Sequence, residues 1–127
     1  MRIFHSYKDA WYDAPFAKDE KVGLCWYLVR KTAVENSFAK TFDDQRRLLG
    51  PENEVPRACE LTYTVVLYFM TTGERLFEGN GVRCIDLAPD GSRAWVGHFD
   101  CNGLQIFTQD DNEHSEHSHL GLSSVRK

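Results

Sequence analysis

Long apolar segments are missing from this chain of 127 residues. The longest apolar run covers residues 65–70, and a membrane-spanning helix needs about 20 such residues. The N-terminal residues, which begin with Met1 and Arg2, also lack the apolar core of a signal peptide. We therefore predict a cytoplasmic protein that has no membrane partner.

An excess of basic charge is missing as well. The chain has 15 Lys and Arg residues against 19 Asp and Glu residues, which gives a formal net charge of −4. A nucleic-acid-binding protein usually carries a basic patch, whereas the basic pairs 30–31 and 46–47 each have acidic residues nearby. We therefore expect no nucleic-acid partner.

Closely spaced cysteine pairs are also missing from the sequence. Cys25, Cys59, Cys84 and Cys101 are widely separated and form no C-x-x-C motif. A chain of this length can bury a core without disulfides, so we expect free thiols in a reducing compartment. Cys101 lies in a predicted turn, and an exposed, inert thiol is a better interpretation of it than a nucleophile. We predict no cofactor.

Aromatic residues, in contrast, are abundant, at 13% of the chain. Trp11, Tyr12, Phe16 and Trp26 exceed the number that we can assign to a core. Such side chains either seal the ends of a sheet or anchor a partner protein, and the sequence leaves both alternatives open.

Turn and capping residues predict most of the secondary structure. Thr41 is a helix cap, acids follow it in the first turn, and Gly50 ends the helix, so we predict a short helix over residues 42–49. Apolar runs separated by turn residues predict the strands. The strands are expected at 24–29, 82–87, 94–99 and 104–107, with a mobile polar loop at 108–119 and a closing edge strand at 120–125.

Residues 56–72 fit two predictions. Apolar and polar side chains alternate over residues 61–69, which favours a strand. Pro56 suits a first helical position, Gly73 suits a helix end, and the length between them is normal for a helix. We predict a helix, and because it is apolar nearly all round we expect it to be central and buried.

Together these elements predict a single α+β domain over residues 1–127. Its antiparallel sheet of about four or five strands, with a C-terminal meander, would pack against one long and one short helix.

Two parts of the sequence resemble known proteins. Residues 81–107, with the turn Pro89-Asp90-Gly91, resemble one blade of a β-propeller. A propeller needs several blades, so this resemblance implies strand positions and no function. Residues 24–127 resemble small uncharacterised proteins of bacterial and phage genomes, which implies a similar origin and no particular activity. The second resemblance is carried by Glu35-Asn36-Ser37, Lys40-Thr41, Thr72 to Phe77, Val82-Arg83-Cys84 and Val96 to Asp100.

The densest group of metal-binding side chains is a histidine tract at residues 114–119. His114, His117 and His119 carry imidazoles that would bind zinc, nickel or copper. No single regular conformation puts all three on one face, so a polar loop that binds metal adventitiously is the competing interpretation.

A second polar set surrounds the predicted strand ends. His98 beside Asp100 would act as a general acid or base, and Arg83 and Glu74 would complete the site if the strands bring them together. The competing interpretation is an ion pair at the sheet edge and an Asp that opens a turn.

The polar residues before the short helix suggest an anion site at its N-terminus. They are Asn36, Ser37, Lys40, Thr41 and Gln45. Ordinary helix capping explains them better.

These observations lead to three functional hypotheses. The first is a non-enzymatic protein-binding or assembly module that engages a protein partner or itself through an aromatic-rich face. The alternatives are a small enzyme that uses His98 with Asp100, Arg83 or Glu74, and a metal-binding protein that uses the histidine tract.

Overall fold

The computed structural model describes residues 28–110 and 119–126. This part of the chain forms two helices and six strands. In chain order they are β1 (Leu28–Val29), α1 (Phe42–Arg46), α2 (Ala58–Thr72), β2 (Gly81–Leu87), β3 (Arg93–Asp100), β4 (Gly103–Gln109), β5 (Leu120–Leu122) and β6 (Val125–Arg126). The predicted α+β class is confirmed.

The main sheet has four strands in the order β4-β3-β2-β5. The antiparallel pairing of β2 with β3 and of β3 with β4 confirms the predicted meander. The sheet differs from the predicted antiparallel sheet in one strand, because β5 pairs with β2 in parallel and makes the sheet mixed. Strand β5 lies at the edge of the sheet opposite to β4 and runs in the same direction as β2. A hairpin joins only antiparallel neighbours, so a hairpin does not connect β2 to β5.

The closing edge strand predicted at 120–125 is two strands instead of one. Leu120–Leu122 completes the main sheet, and Val125–Arg126 pairs with β1 in a separate antiparallel sheet. Between them, the Ser123 hydroxyl donates a hydrogen bond to the Arg83 carbonyl at 2.6 Å. Strand β4 also extends to Gln109, two residues into the predicted loop at 108–119, of which residues 111–118 lie outside the described part.

The long helix predicted over residues 56–72 is confirmed as α2, Ala58–Thr72. Its N-terminal Ala58 amide donates to the Asp86 carboxylate of β2. Its C-terminus ends at Gly73, which adopts a left-handed φ of 78° that suits glycine. These two ends settle the ambiguity of the sequence pattern in favour of a helix.

The two faces of the main sheet carry different layers. Leu61, Val65 and Phe69 of α2 belong to the core cluster that also contains Val82 and Val96 of the sheet. Side chains alternate between the two faces of a strand. The neighbouring residues of the sheet therefore point to the opposite face, where α1 packs.

Helix α1 ends at Arg46, three residues before the predicted 49, and residues 47–49 form a turn. Phe42 anchors this helix, because the Arg93 guanidinium lies 3.6 Å from the centre of its ring. Within residues 28–110 and 119–126, no helix combines the length and the apolar character that a bilayer crossing requires.

Candidate functional sites

Helix α2 presents an apolar stripe to solvent. Tyr63, Leu67 and Met70 have exposed fractions of 57%, 50% and 69%. Their spacing of four and three residues puts them on one face of the helix, opposite the face that contacts the sheet. The expectation that α2 is buried on all sides is therefore wrong, because within the described residues the sheet covers one face only.

The stripe of α2 is defined as Tyr63, Leu67 and Met70, and no charged residue lies between its members along the helix. Residues 61–73 contain no Asp, Glu, Lys or Arg. Most exposed helix faces carry charged side chains, so an exposed apolar and uncharged face on a 15-residue helix is unusual. Such a face is typical of a surface that contacts another molecule.

Two histidines meet at one end of the main sheet. The Nε2 atom of His98 lies 3.0 Å from the Nδ1 atom of His119, and the ring centres are 4.9 Å apart. His98 belongs to β3, and His119 immediately precedes β5. The strand between them, β2, fixes both backbones, because the His98 amide donates to the Asn80 carbonyl and the Gly81 amide donates to the His119 carbonyl.

Trp95 supports both imidazoles from the side. Its ring meets His98 and His119 edge-on, at centre distances of 5.6 and 5.9 Å. Only 6% of Trp95 is exposed, and Phe107 stacks on it at 6.1 Å. A side chain at Gly81 would lie 2.8 Å from the Trp95 ring, so glycine at this position makes room for the indole.

The environment of His98 favours its neutral form. Burial lowers the pKa of His98 below its ordinary value, and the Asp100 carboxylate opposes this effect by raising that pKa. Asp100 itself accepts a hydrogen bond from the Asn102 amide at 2.8 Å and so shapes the β3–β4 turn.

Arg83 and Glu74 are engaged elsewhere. Arg83 is buried and donates to the Lys40 carbonyl at 2.8 Å and to Gln45 Oε1 at 3.0 Å. Glu74 is exposed and accepts from the Tyr68 hydroxyl at 3.2 Å. In the β2–β3 register, Arg83 is opposite Trp95 and not His98. The structure therefore brings His98 together with His119, which the sequence assigned to a different site.

The polar residues before α1 hold the fold together. The Thr41 hydroxyl accepts the Asp44 amide, which is the capping that the sequence favoured. Gln45 is fully buried, and its Nε2 donates to the Ser37 carbonyl at 2.7 Å and to the Leu120 carbonyl at 3.1 Å. These contacts give Gln45 a structural role.

The cysteines in the described ranges are free thiols. Cys84 is buried, and burial together with the Asp86 charge raises its pKa far above the ordinary value. A thiol in this state is a poor nucleophile. Cys59 is half-buried, and Cys101 is exposed in the turn that follows β3.

Several predicted site residues lie outside the described part of the chain. They are the aromatic residues Trp11, Tyr12, Phe16 and Trp26, the histidines His114 and His117, and Cys25. Among the residues that are described, no group of three or more His, Cys, Asp or Glu side chains is arranged to hold a metal ion.

Sequence reasoning missed two features of this surface. The helical spacing of Tyr63, Leu67 and Met70 was visible, but an apolar helix gives no sign of which face the sheet leaves uncovered. The pairing of His98 with His119 was not visible, because the two residues are 21 positions apart in the chain.

Comparison of the chain with protein-family models, with curated proteins and with solved structures finds no match.

Proposed function

We propose that this chain is a non-enzymatic assembly module that pairs with a second copy of itself through the stripe of α2. The observation that carries the proposal is the half or greater exposure of Tyr63, Leu67 and Met70 on one helix face. Burying these side chains against a partner would remove apolar surface from water, which is the main favourable contribution to association.

Charge favours a second copy over a charged partner. The face offers no side chain for an ion pair, because residues 61–73 are uncharged. The chain as a whole has a net charge of −4, so two copies repel one another weakly on average. Over residues 61–73 they can approach without placing like charges in contact, and Glu60 and Glu74 flank this segment.

The spacing of the stripe suits a two-fold symmetric contact. In an antiparallel pair of helices that cross at Leu67, Tyr63 of one copy lies opposite Met70 of the other. This arrangement gives two equivalent contacts between a thioether and an aromatic ring, each of which contributes roughly 0.3–1.5 kcal/mol. A two-fold interface uses the same patch on both copies, which is what a single stripe provides.

The size of the stripe predicts a weak dimer. Three half-exposed side chains remove roughly 300 Å² per copy, or roughly 600 Å² in total, since a large side chain buries about 150–250 Å² when it is fully covered. Stable interfaces bury at least about 1,200 Å². We therefore expect a dissociation constant of roughly micromolar or higher for the dimer.

Sedimentation equilibrium over a concentration series tests the proposal. Leu67→Glu places a carboxylate at the centre of the stripe, beside its own symmetry copy, and should abolish association. Leu87→Glu is the matched control, because Leu87 on β2 is also 50% exposed and lies outside the stripe. It should associate as the unmodified chain does.

Two results would refute the assembly proposal. One is an unmodified chain that sediments as a monomer at all concentrations up to about a millimolar. The other is loss of association in Leu87→Glu with full association in Leu67→Glu, which would move the interface to another surface.

A small enzyme that uses His98 is the second candidate. Burial lowers the pKa of His98, and the Asp100 carboxylate partly opposes this effect; a neutral imidazole beside a carboxylate is suited to act as a general base, which supports this candidate. Arg83 and Glu74 make other contacts, so of the four residues that the sequence assigned to this candidate only His98 and Asp100 remain, and the imidazole beside His98 is that of His119. We further infer a cytoplasmic location, which the buried Cys84 supports because it is a thiol and not part of a disulfide.

A further inference from the structure

We propose that His98 and His119 form a two-imidazole site for a divalent copper or nickel ion. Imidazole nitrogen is a good ligand for these ions, and the two ring nitrogens already lie 3.0 Å apart. This site is separate from the stripe of α2, and it shares only His119 with the histidine tract, because its other ligand, His98, belongs to β3.

The separation of the two nitrogens indicates the class of ion. Metal–nitrogen bonds to histidine are about 2.0–2.1 Å long. The two nitrogens lie 3.0 Å apart, so an ion bonded to both would have an N–metal–N angle of about 94°. Tetrahedral zinc would need a separation of about 3.4 Å, whereas an angle near 90° fits the tetragonal geometry of Cu²⁺ and Ni²⁺.

The backbone holds the two rings in place independently of any ion. His98 has a left-handed φ of 46°, a conformation that is uncommon outside glycine and in which Asn, Asp and His are the enriched residues. The His98 amide donates a hydrogen bond to the Asn80 carbonyl, and the His119 carbonyl accepts one from the Gly81 amide. These bonds fix both backbones, and an ion would bind after the two rings turn about their side-chain bonds, so that both nitrogen lone pairs face it instead of each other.

The remaining coordination positions would be filled by water or by a small exogenous ligand. No third His, Cys, Asp or Glu side chain completes a cluster among the described residues. When the ion binds, the ring nitrogen that donates the shared hydrogen bond gives up its proton, and the same ring takes up a proton from solvent on its other nitrogen, so both imidazoles remain neutral ligands.

Titration of the untagged full chain with Cu²⁺ alone tests this site. Trp95 contacts both rings, so its fluorescence should be quenched as Cu²⁺ binds. Electron paramagnetic resonance gives a second readout, since two imidazole nitrogens coupled to copper are expected in the spectrum. His98→Asn tolerates the left-handed backbone and should weaken binding by about tenfold or more, leaving one coupled nitrogen from this pair.

His119→Gln is a second, independent variant with the same expected result, which keeps the test valid if either variant folds poorly. The double variant His114→Gln/His117→Gln is the control and should bind as the unmodified chain does. Unchanged binding in His98→Asn would overturn the proposal, because it would assign the ion to the histidine tract. An absence of Cu²⁺ binding by the unmodified chain would overturn it as well.

Discussion

Replacing Gln45 by Ala removes a buried side chain that connects four parts of the fold. Its amide nitrogen donates to the Ser37 and Leu120 carbonyls, and its Oε1 accepts from the guanidinium of Arg83. The substitution removes the donor of two carbonyls and one of two acceptors of Arg83 Nη1, which keeps its bond to the Lys40 carbonyl. The region has no solvent access, since Gln45 and Ser37 are fully buried.

The expected loss is large for a single substitution. Each buried polar group that loses its partner costs about 1–3 kcal/mol, and a charged group more. The three losses share one cavity and are not additive, so we expect Gln45→Ala to lower the free energy of unfolding by about 3–5 kcal/mol. Small domains have about 5–15 kcal/mol in total.

Urea unfolding followed by circular dichroism measures this loss. With a denaturant slope of about 1.5 kcal/mol per molar, the midpoint should fall by roughly 2–3 M. Arg47→Ala is the control, because the Arg47 side chain is 78% exposed and pairs with Asp44 at the surface, where such pairs contribute about 0–1 kcal/mol. If Gln45→Ala lost less than about 1 kcal/mol, the structural role of Gln45 would be refuted.

Three further substitutions test local features. Gly97→Ala should lower the free energy of unfolding by more than about 3 kcal/mol in urea melts, because the new Cβ would lie 2.3 Å from the Asn80 carbonyl oxygen. Gly73→Ala, where no atom lies within 4 Å, should lose only the cost of a left-handed alanine, about 1 kcal/mol. Hydrogen bonds from Ser92 hold the pKa of Asp90 below its ordinary value, so the stabilisation is present at neutral pH and is lost as the pH falls through that lowered pKa. Ser92→Ala should raise the pKa of Asp90 in an NMR titration, and an unchanged pKa would contradict the assigned cause.

The local signals in the sequence were sufficient for the helices and for the meander. Gly73 marks the end of α2 because a left-handed residue is needed there, and Thr41 caps α1 through its own hydroxyl. Such signals depend on residues that are close in the chain. They predicted the element types correctly and misplaced the end of α1 by three residues.

The features that the sequence did not reveal depend on long-range packing. Leu120–Leu122 pairs in parallel with β2, whose edge is not covered by β3. A strand of three residues is too short for its sequence pattern to indicate which strand it pairs with. Arg83 looks like a surface residue by type, yet it is buried against Gln45, 38 positions away. Exposure of the α2 stripe likewise depends on which helix face the sheet covers.

Amide chemical shifts measured on dilution give the most direct test of self-association through α2. Two-dimensional ¹H–¹⁵N spectra recorded from about a millimolar to about ten micromolar cover the range in which an interface of this size dissociates. We predict concentration-dependent shifts at the exposed positions of α2, centred on Leu67, and constant shifts at Leu87. Spectra that do not change with concentration, or changes that centre on another surface such as Phe107, would contradict the account.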